Sequence, residues 1–76
     1  MPEDMATKIL EDSVGKMVLV KLKGLKSIRG KLQGFDQHMN LLLVEAEDIS
    51  ITDKTEKLGV IIVRGDNVIL ISPPKQ

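Results

Sequence analysis

The chain has 76 residues, no cysteine, one histidine, and eleven basic against eleven acidic residues. This length allows one small domain, and it lacks the cysteines for a disulfide framework or a histidine–cysteine metal site. We expect neither a metal nor another cofactor, and a zero net charge gives no general attraction to a polyanion. No apolar run approaches the ~20 residues of a membrane-spanning helix, and the first residues are acidic where a secretory signal is basic. We therefore expect a single domain over 1–76 in a cytoplasmic protein that gains stability from other copies of itself, with no membrane or small-molecule partner.

The chain begins with a predicted two-turn helix over about residues 4–12. Its N-cap candidates are Asp4 and Thr7. Its apolar face is formed by Met5, Ile9 and Leu10. A helix this short needs to dock on the rest of the domain.

From Lys16 the apolar residues recur at every second position, which is typical of β-strands. A first strand runs to Leu22, a turn follows over 23–26, and a second strand covers 27–35. The inward face of the second strand carries Ile28, Gly30, Leu32 and Gly34, and its outward face carries Arg29, Lys31, Gln33 and Phe35. Because glycine inside a strand costs stability, the two glycines predict a strong bend.

A third strand is predicted from Leu41, either to about Asp48 or on to Ile51, and a loop is predicted over 52–56. Two β-branched runs, 60–63 and 68–71, form the last two strands. Their glycine–aspartate link predicts a tight hairpin with its polar residues at the tip. Both runs are apolar at every position, so both faces of each strand should be covered.

These elements predict an all-β domain with a short N-terminal helix and one strongly bent sheet of five antiparallel strands. The chain is too short for two sheets, so the sheet should curl into a small open barrel. If the fourth and fifth strands are its edges, their unpaired backbone groups can pair with neighbouring copies. Repeated head to tail, that contact either closes a ring or grows a fibre. We expect the ring, because a soluble protein that grew fibres without limit would be a hazard.

Five polar residues stand at two strand junctions: Asp36, His38 and Asn40 before the third strand, and Arg64 and Asp66 between the fourth and the fifth. We expect the two junctions to meet at one end of the barrel. There an imidazole and a guanidinium can stack on a nucleobase, and the Asn40 amide can read its edge. Asp66 is expected to accept one hydrogen of that amide and to fix the orientation that suits uracil over cytosine.

Each of these residues also has a structural interpretation. His38 taken alone is typical of a surface position, and Arg64-Gly65-Asp66 is typical of a turn. Asp36 and Asn40 can stabilise a turn as well, and Met39 is expected to lie in the core. The combination of these residues favours the binding hypothesis.

Two motifs of this chain resemble those of Sm-like proteins. The first is Gly30 with Phe35-Asp36-Gln37-His38-Met39-Asn40-Leu41 and the acidic end Glu45-Ala46-Glu47-Asp48; the second is Val63-Arg64-Gly65-Asp66-Asn67-Val68. The resemblance covers nearly the whole chain, with a first region of about 16–48 and a second of about 58–72. It is strongest to the Sm-like proteins of archaea.

This resemblance implies a small SH3-like barrel, the Sm fold, and a homo-oligomeric ring, most often a heptamer, formed by fourth-to-fifth strand pairing. It also implies binding of uridine-rich single-stranded RNA at the inner rim, in RNA processing, stability or chaperoning. We expect no enzymatic activity, because a single histidine beside an asparagine and an arginine is better suited to binding RNA than to cleaving it. The implied RNA-binding residues are His38, Met39, Asn40, Arg64, Gly65 and Asp66, with Asp36 in support. The chain departs from the family pattern at Leu25, where many relatives have a second glycine, and at Gly34, where a longer side chain is common.

Two other functions are open to this sequence. A nuclease could use His38 with Asp36 or Asp66, although acid–base chemistry on RNA commonly needs a second base or a lysine nearby. An architectural ring or a duplex nucleic-acid binder could use the segment from Lys16 to Lys31, which holds six basic residues and no acidic one. Duplex binding by charge would depend steeply on salt and show no base preference.

Overall fold

A computed structural model describes residues 5–73 of the chain. Its elements are the helix α1 (Met5–Ser13), the strands β1 (Met17–Leu22), β2 (Lys26–Phe35), β3 (Leu41–Ile51), β4 (Lys54–Val63) and β5 (Val68–Ser72), and a 3-10 turn at Gly65–Asn67. The strands form one antiparallel sheet in the order β4-β3-β2-β1-β5. The predicted helix followed by a five-stranded antiparallel sheet is confirmed.

The core lies inside the curve of the sheet and is lined by alternate residues of the strands. Its buried apolar residues are Leu10, Val18, Val20, Ile28, Leu32, Leu41, Leu43, Ala46 and Val63. Within β1 the buried positions are the two valines, as the period of two predicts. Burying such side chains contributes roughly 1.5–3 kcal/mol each, which offsets the entropy lost on ordering the strands.

The helix α1 contributes less to the core than its sequence predicts. Only Leu10 of the three predicted apolar residues is buried, whereas the side chains of Met5 and Ile9 are 76% and 45% exposed. Thr7 lies inside the helix and is not its N-cap, and Asp4 lies outside the described residues. No helix in residues 5–73 is long and apolar enough to cross a membrane.

The sheet bends where β2 and β3 come closest. A Cβ atom on Gly30 would lie 3.3 Å from the Cα of Ala46, so the glycine permits this approach. Opposite Gly30, β3 carries an extra residue between Val44 and Glu47, and within that β-bulge Glu45 has a φ of +52°. The predicted bend at Gly30 is therefore present, and the β-bulge at Glu45 of β3 lies opposite it.

A second register shift exchanges the faces at the end of β2. The shift lies between Leu32 and Gly34, after which Gly34 pairs with Leu42 and Phe35 pairs with the buried Leu41. Phe35 packs against the core. The predicted faces of Gly34 and Phe35 are therefore wrong, because the bulge breaks the alternation on which they were based.

The last two strands do not form a hairpin. β4 pairs with β3 and β5 pairs with β1, so the two strands lie at opposite edges of the sheet. The turn at Gly65–Asn67 carries the chain from one edge to the other, where the N–H of Lys23 donates to the carbonyl of Asn67 at 3.0 Å. The predicted hairpin is wrong, while the alternative that both strands are edges is correct.

The outer faces of these edge strands are not covered within one chain. Val60 and Ile62 of β4 are 70% and 73% exposed, and Ile69 of β5 is 62% exposed. The predicted loop over 52–56 is also shorter than expected, because β4 already begins at Lys54 and pairs there with Ile51. The chain therefore presents two long edges with apolar side chains.

Candidate nucleic-acid interface

The β2–β3 and β4–β5 connections meet at one end of the barrel, as the sequence predicts. Their polar residues line an open cavity of about 540 Å³, formed by Asp36, His38, Asn40, Ile62, Arg64 and Asp66. Met39 does not line it and instead packs, partly buried, against the core. The structure thus brings together the five polar residues that sequence reasoning selected.

Asp36 holds the β2–β3 connection in shape. Its Oδ1 accepts the backbone N–H groups of His38 and Asn40 at 2.9 and 3.0 Å, an arrangement typical of aspartate in turns. Met39, between them, has a φ of +63°. Donation from the Asn40 side chain holds the pKa of Asp36 below its ordinary value, with the two backbone donors acting in the same direction. Asp36 therefore stays ionised and keeps accepting at neutral pH.

The amide of Asn40 is held at both ends. Its Nδ2 donates to Asp36 Oδ2 at 2.9 Å, and its Oδ1 accepts the backbone N–H of Gly65 at 2.7 Å. These two contacts define which end of the amide is oxygen and which is nitrogen. The amide keeps one N–H and one oxygen lone pair that are not used by these contacts.

Asp36, and not Asp66, is the carboxylate that orients Asn40. Asp66 contacts Arg64 instead, with 3.4 Å between Arg64 Nη2 and Asp66 Oδ2. The predicted role of Asp66 in holding the amide is therefore wrong. Asp36 lies four residues before Asn40 in the same connection, so its carboxylate reaches both the backbone and the side chain of Asn40.

Gly65 allows the two connections to touch. A Cβ atom at this position would overlap the carbonyl oxygen of His38 and come within 3.0 Å of the carbonyl carbon of Met39. Glycine is therefore required here by close approach. The contact between the Gly65 N–H and the Asn40 amide depends on this approach.

The two side chains that can stack on a base are free to move. The Arg64 side chain is 80% exposed and its one ion-pair contact within residues 5–73 is the long one with Asp66, whose side chain is 70% exposed. His38 is also exposed. An exposed pair with this geometry contributes little to stability, so Arg64 can leave Asp66 at small cost.

The basic segment that precedes this site is partly neutralised by β3. Lys26 Nζ lies 2.8 Å from Asp48 Oδ2, and Arg29 Nη2 lies 2.6 Å from Glu47 Oε1. The hydrogen bond from Lys26, followed by those from Ser50, holds the pKa of Asp48 far below its ordinary value. Two of the six cations are thus engaged within the chain, which weakens the case for a duplex-binding patch.

The sequence and structure of the chain match known proteins over almost their whole length. Residues 8–73 match the family model of the LSM domain. An snRNP Sm-like protein of Methanococcoides burtonii is 48% identical over 65 residues, which cover 86% of this chain and 90% of that protein. Among solved structures, the heptamer of SmAP1 from P. aerophilum matches with a TM-score of 0.90 at 48% identity, covering 99% of this chain and 100% of that one.

A third relative carries a ligand. The Sm protein of Pyrococcus abyssii, solved in complex with a uridine heptamer, matches with a TM-score of 0.86 at 39% identity, covering 93% of this chain and 100% of that one. The helix, the five-stranded antiparallel sheet and the two sequence motifs all agree with these matches. The family consists of RNA binders without enzymatic activity, which confirms the expectation that the chain is not an enzyme. The chain belongs to the LSM family of Sm-like proteins.

Proposed function

We propose that this chain forms a homo-oligomeric ring that binds uridine-rich single-stranded RNA at its inner rim. The observation that carries the proposal is the fixed amide of Asn40, held by Asp36 on one side and by the Gly65 N–H on the other. His38 and Arg64 are the stacking residues, and Asp66 keeps Arg64 near the site. Met39 contributes through its backbone, since its side chain packs on the core.

The orientation of the amide favours uracil. Uracil offers an N3–H donor beside an O4 acceptor, which match the free oxygen lone pair and the free N–H of Asn40. Cytosine offers the reverse pattern and needs the amide turned over. The turned amide would place its oxygen against the Asp36 carboxylate and its NH₂ against the Gly65 N–H, so both contacts would be lost and replaced by repulsion.

Stacking provides most of the binding free energy of each site, and the Asn40 amide provides the choice of base. A base between the His38 ring and the Arg64 guanidinium gains roughly 1–3 kcal/mol, as bases on planar side chains do in single-strand binders. Arg64 can reach that position because its contact with Asp66 is long and exposed. Each site is therefore weak alone and selective by its edge contacts.

The ring multiplies these weak sites. Both edge strands have unpaired outer backbones and exposed apolar residues, as expected of strands that pair between copies. The SmAP1 relative from P. aerophilum is a heptamer, and we propose seven copies here, formed by β4-to-β5 pairing of single LSM domains in the cytoplasm. Linked sites on one strand can exceed single-site affinity by roughly 10²–10⁴. A role in RNA processing, stability or chaperoning follows from such binding.

The test compares oligouridine with oligocytidine of equal length at matched salt, for the wild type and for Asp36→Asn. The wild type should prefer oligouridine. Asp36→Asn should lose most of that preference, because an amide at position 36 can donate to a turned Asn40 oxygen as well as accept from its NH₂. Asp53→Asn is the control, since Asp53 is an exposed turn residue of the β3–β4 connection. Equal wild-type affinity for the two oligonucleotides would contradict the proposal.

A further inference from the structure

The nucleobase site itself is not positive. Asp36 and Asp66 carry two negative charges against the single guanidinium of Arg64, and Asp36 stays ionised because hydrogen bonds lower its pKa. The whole chain has zero net charge. RNA carries one negative charge per nucleotide, and its affinity depends on neutralising phosphates. The cations that meet the phosphates must therefore stand beside the site.

Most cations near the site are already engaged or lie elsewhere. Lys26 and Arg29 are paired with carboxylates of β3. Lys16 stands at the far end of β1, where its backbone N–H donates to the carbonyl of Ser13 in α1, and Lys31 lies at that same end, paired with Met17. Lys21 lies within β1, on the face opposite to the buried Val18 and Val20. These positions leave the β1–β2 turn as the part of this basic segment that is hydrogen-bonded to a connection of the site.

Lys23 is the cation of that turn. Its backbone N–H donates to the carbonyl of Asn67 at 3.0 Å, so it is attached to the same 3-10 turn that holds Gly65 and Asp66. Its neighbour Leu22 lines a cavity together with Arg64 and Asp66. The side chain of Lys23 is exposed and forms no ion pair within the described part of the chain.

We propose that Lys23 binds a backbone phosphate of the RNA strand whose base occupies the Asn40 site. This inference rests on the proposed function and adds the path of the RNA, which crosses the 3-10 turn toward the β1–β2 turn. Lys23 supplies charge without base contact, so it raises affinity equally for every sequence. The base edge gives the selectivity and this lysine compensates for the charge deficit of the site.

The experiment compares Lys23→Gln with Lys16→Gln, which removes the same charge from the other end of β1. Binding of a heptauridine is measured as a function of salt, and binding of the nucleoside uridine, which has no phosphate, is measured by NMR titration. Each single-strand phosphate contact contributes about 0.7 to the slope of log affinity against log salt. Lys23→Gln should lower the slope by at least that amount and weaken heptauridine binding about fivefold or more near 0.1 M salt.

The two controls separate this inference from the proposed function. Lys16→Gln should leave the slope close to that of the wild type, and uridine should bind all three proteins equally. A slope unchanged by Lys23→Gln, or reduced equally by both variants, overturns the phosphate contact. Absence of a uridine preference in the wild type is a separate result, and it overturns the proposed function whatever the slopes are.

Discussion

Gly65 is the residue on which the geometry of the site depends most directly. Gly65→Ala places a Cβ on the carbonyl oxygen of His38 and pushes the two connections apart. Overpacking of this kind typically costs about 1–3 kcal/mol. We expect a lower free energy of unfolding and a loss of uridine affinity of about tenfold, because the Asn40 amide loses the Gly65 N–H and the stacking side chains separate.

Gly34→Ala is the matched control for this change. A Cβ at Gly34 has no atom within 4 Å, and its φ does not lie in the left-handed region. This alanine should leave both unfolding and uridine titrations unchanged or should slightly stabilise the chain. Similar losses from both alanines would show that glycine content, and not the contact with His38, explains the effect.

Leu25 has a left-handed backbone conformation that is unfavourable for leucine. It has a φ of +62° and is 95% exposed, so its side chain gains little packing while its backbone is strained. The left-handed region costs an ordinary residue roughly 1–2 kcal/mol, and asparagine less. Leu25→Asn should therefore raise the free energy of unfolding by about 1 kcal/mol. Urea unfolding at a fixed protomer concentration measures it, and Leu25→Val should move it the other way.

The sequence predicted which polar residues line the cavity more accurately than it predicted their hydrogen-bond partners. Asn40, His38 and Arg64 could be selected because two planar side chains and an amide at neighbouring junctions together suit the binding of a nucleobase. The choice between Asp36 and Asp66 as the partner of Asn40 depended on where a few atoms lie in a turn. A spacing of residues does not resolve that choice, because both carboxylates can reach the amide in some turn geometry.

At the scale of the elements, the period of two predicted strands well and failed where a bulge intervenes. Val18 and Val20 are buried as expected, whereas Phe35 turned inward after the register shift that follows Leu32. The bulge at Glu45, whose φ is +52°, lies opposite Gly30 of β2, and the residues of β3 itself carry no signal for it. Bulges depend on pairing with the next strand, which local patterns do not report.

The start of β2 and the end of β3 are joined by a charged network around Asp48. Lys26 and the hydroxyl and backbone N–H of Ser50 all donate to its carboxylate, at 2.6–2.9 Å. These contacts lower its pKa below the ordinary value of 3.8, so the carboxylate stabilises the fold fully above that pH. That stabilisation is lost as pH falls below 3.8 toward the folded-state pKa.

Asp48→Asn tests this network. The variant should unfold at a lower temperature than the wild type at pH 7, because Lys26 loses its partner and Ser50 loses a charged acceptor. The difference should shrink as pH falls below 3.8, where the wild-type carboxyl becomes protonated. Thermal unfolding of both proteins across this pH range measures the effect, with Asp53→Asn as the control. A difference that is constant with pH would exclude the ionised carboxylate as its cause.

At the scale of the whole molecule, the connection after β4 decides the architecture. A glycine–aspartate link between two β-branched runs predicts a hairpin, yet here a 3-10 turn crosses the open end of the barrel. Which strand β4 pairs with depends on contacts across the whole sheet, so the residues between β4 and β5 do not determine the pairing by themselves. The crossing leaves β4 and β5 at opposite edges of the sheet, so each edge is available to a different copy, as the proposed ring requires.

The edge of β4 gives the most direct test of that ring. Val60→Glu combined with Ile62→Glu places two carboxylates on its exposed apolar face, and burying two charges between copies is costly. The variant should sediment as a monomer where the wild type sediments as a ring. It should also bind a heptauridine more weakly by roughly 10²–10⁴ or more, through loss of linked sites and because Ile62 lines the nucleobase cavity, so sedimentation is the deciding measurement. Leu25→Glu, which replaces an exposed apolar residue of the β1–β2 turn that belongs to neither edge strand, should remain a ring. An assembled double variant would show that these edges do not join the copies.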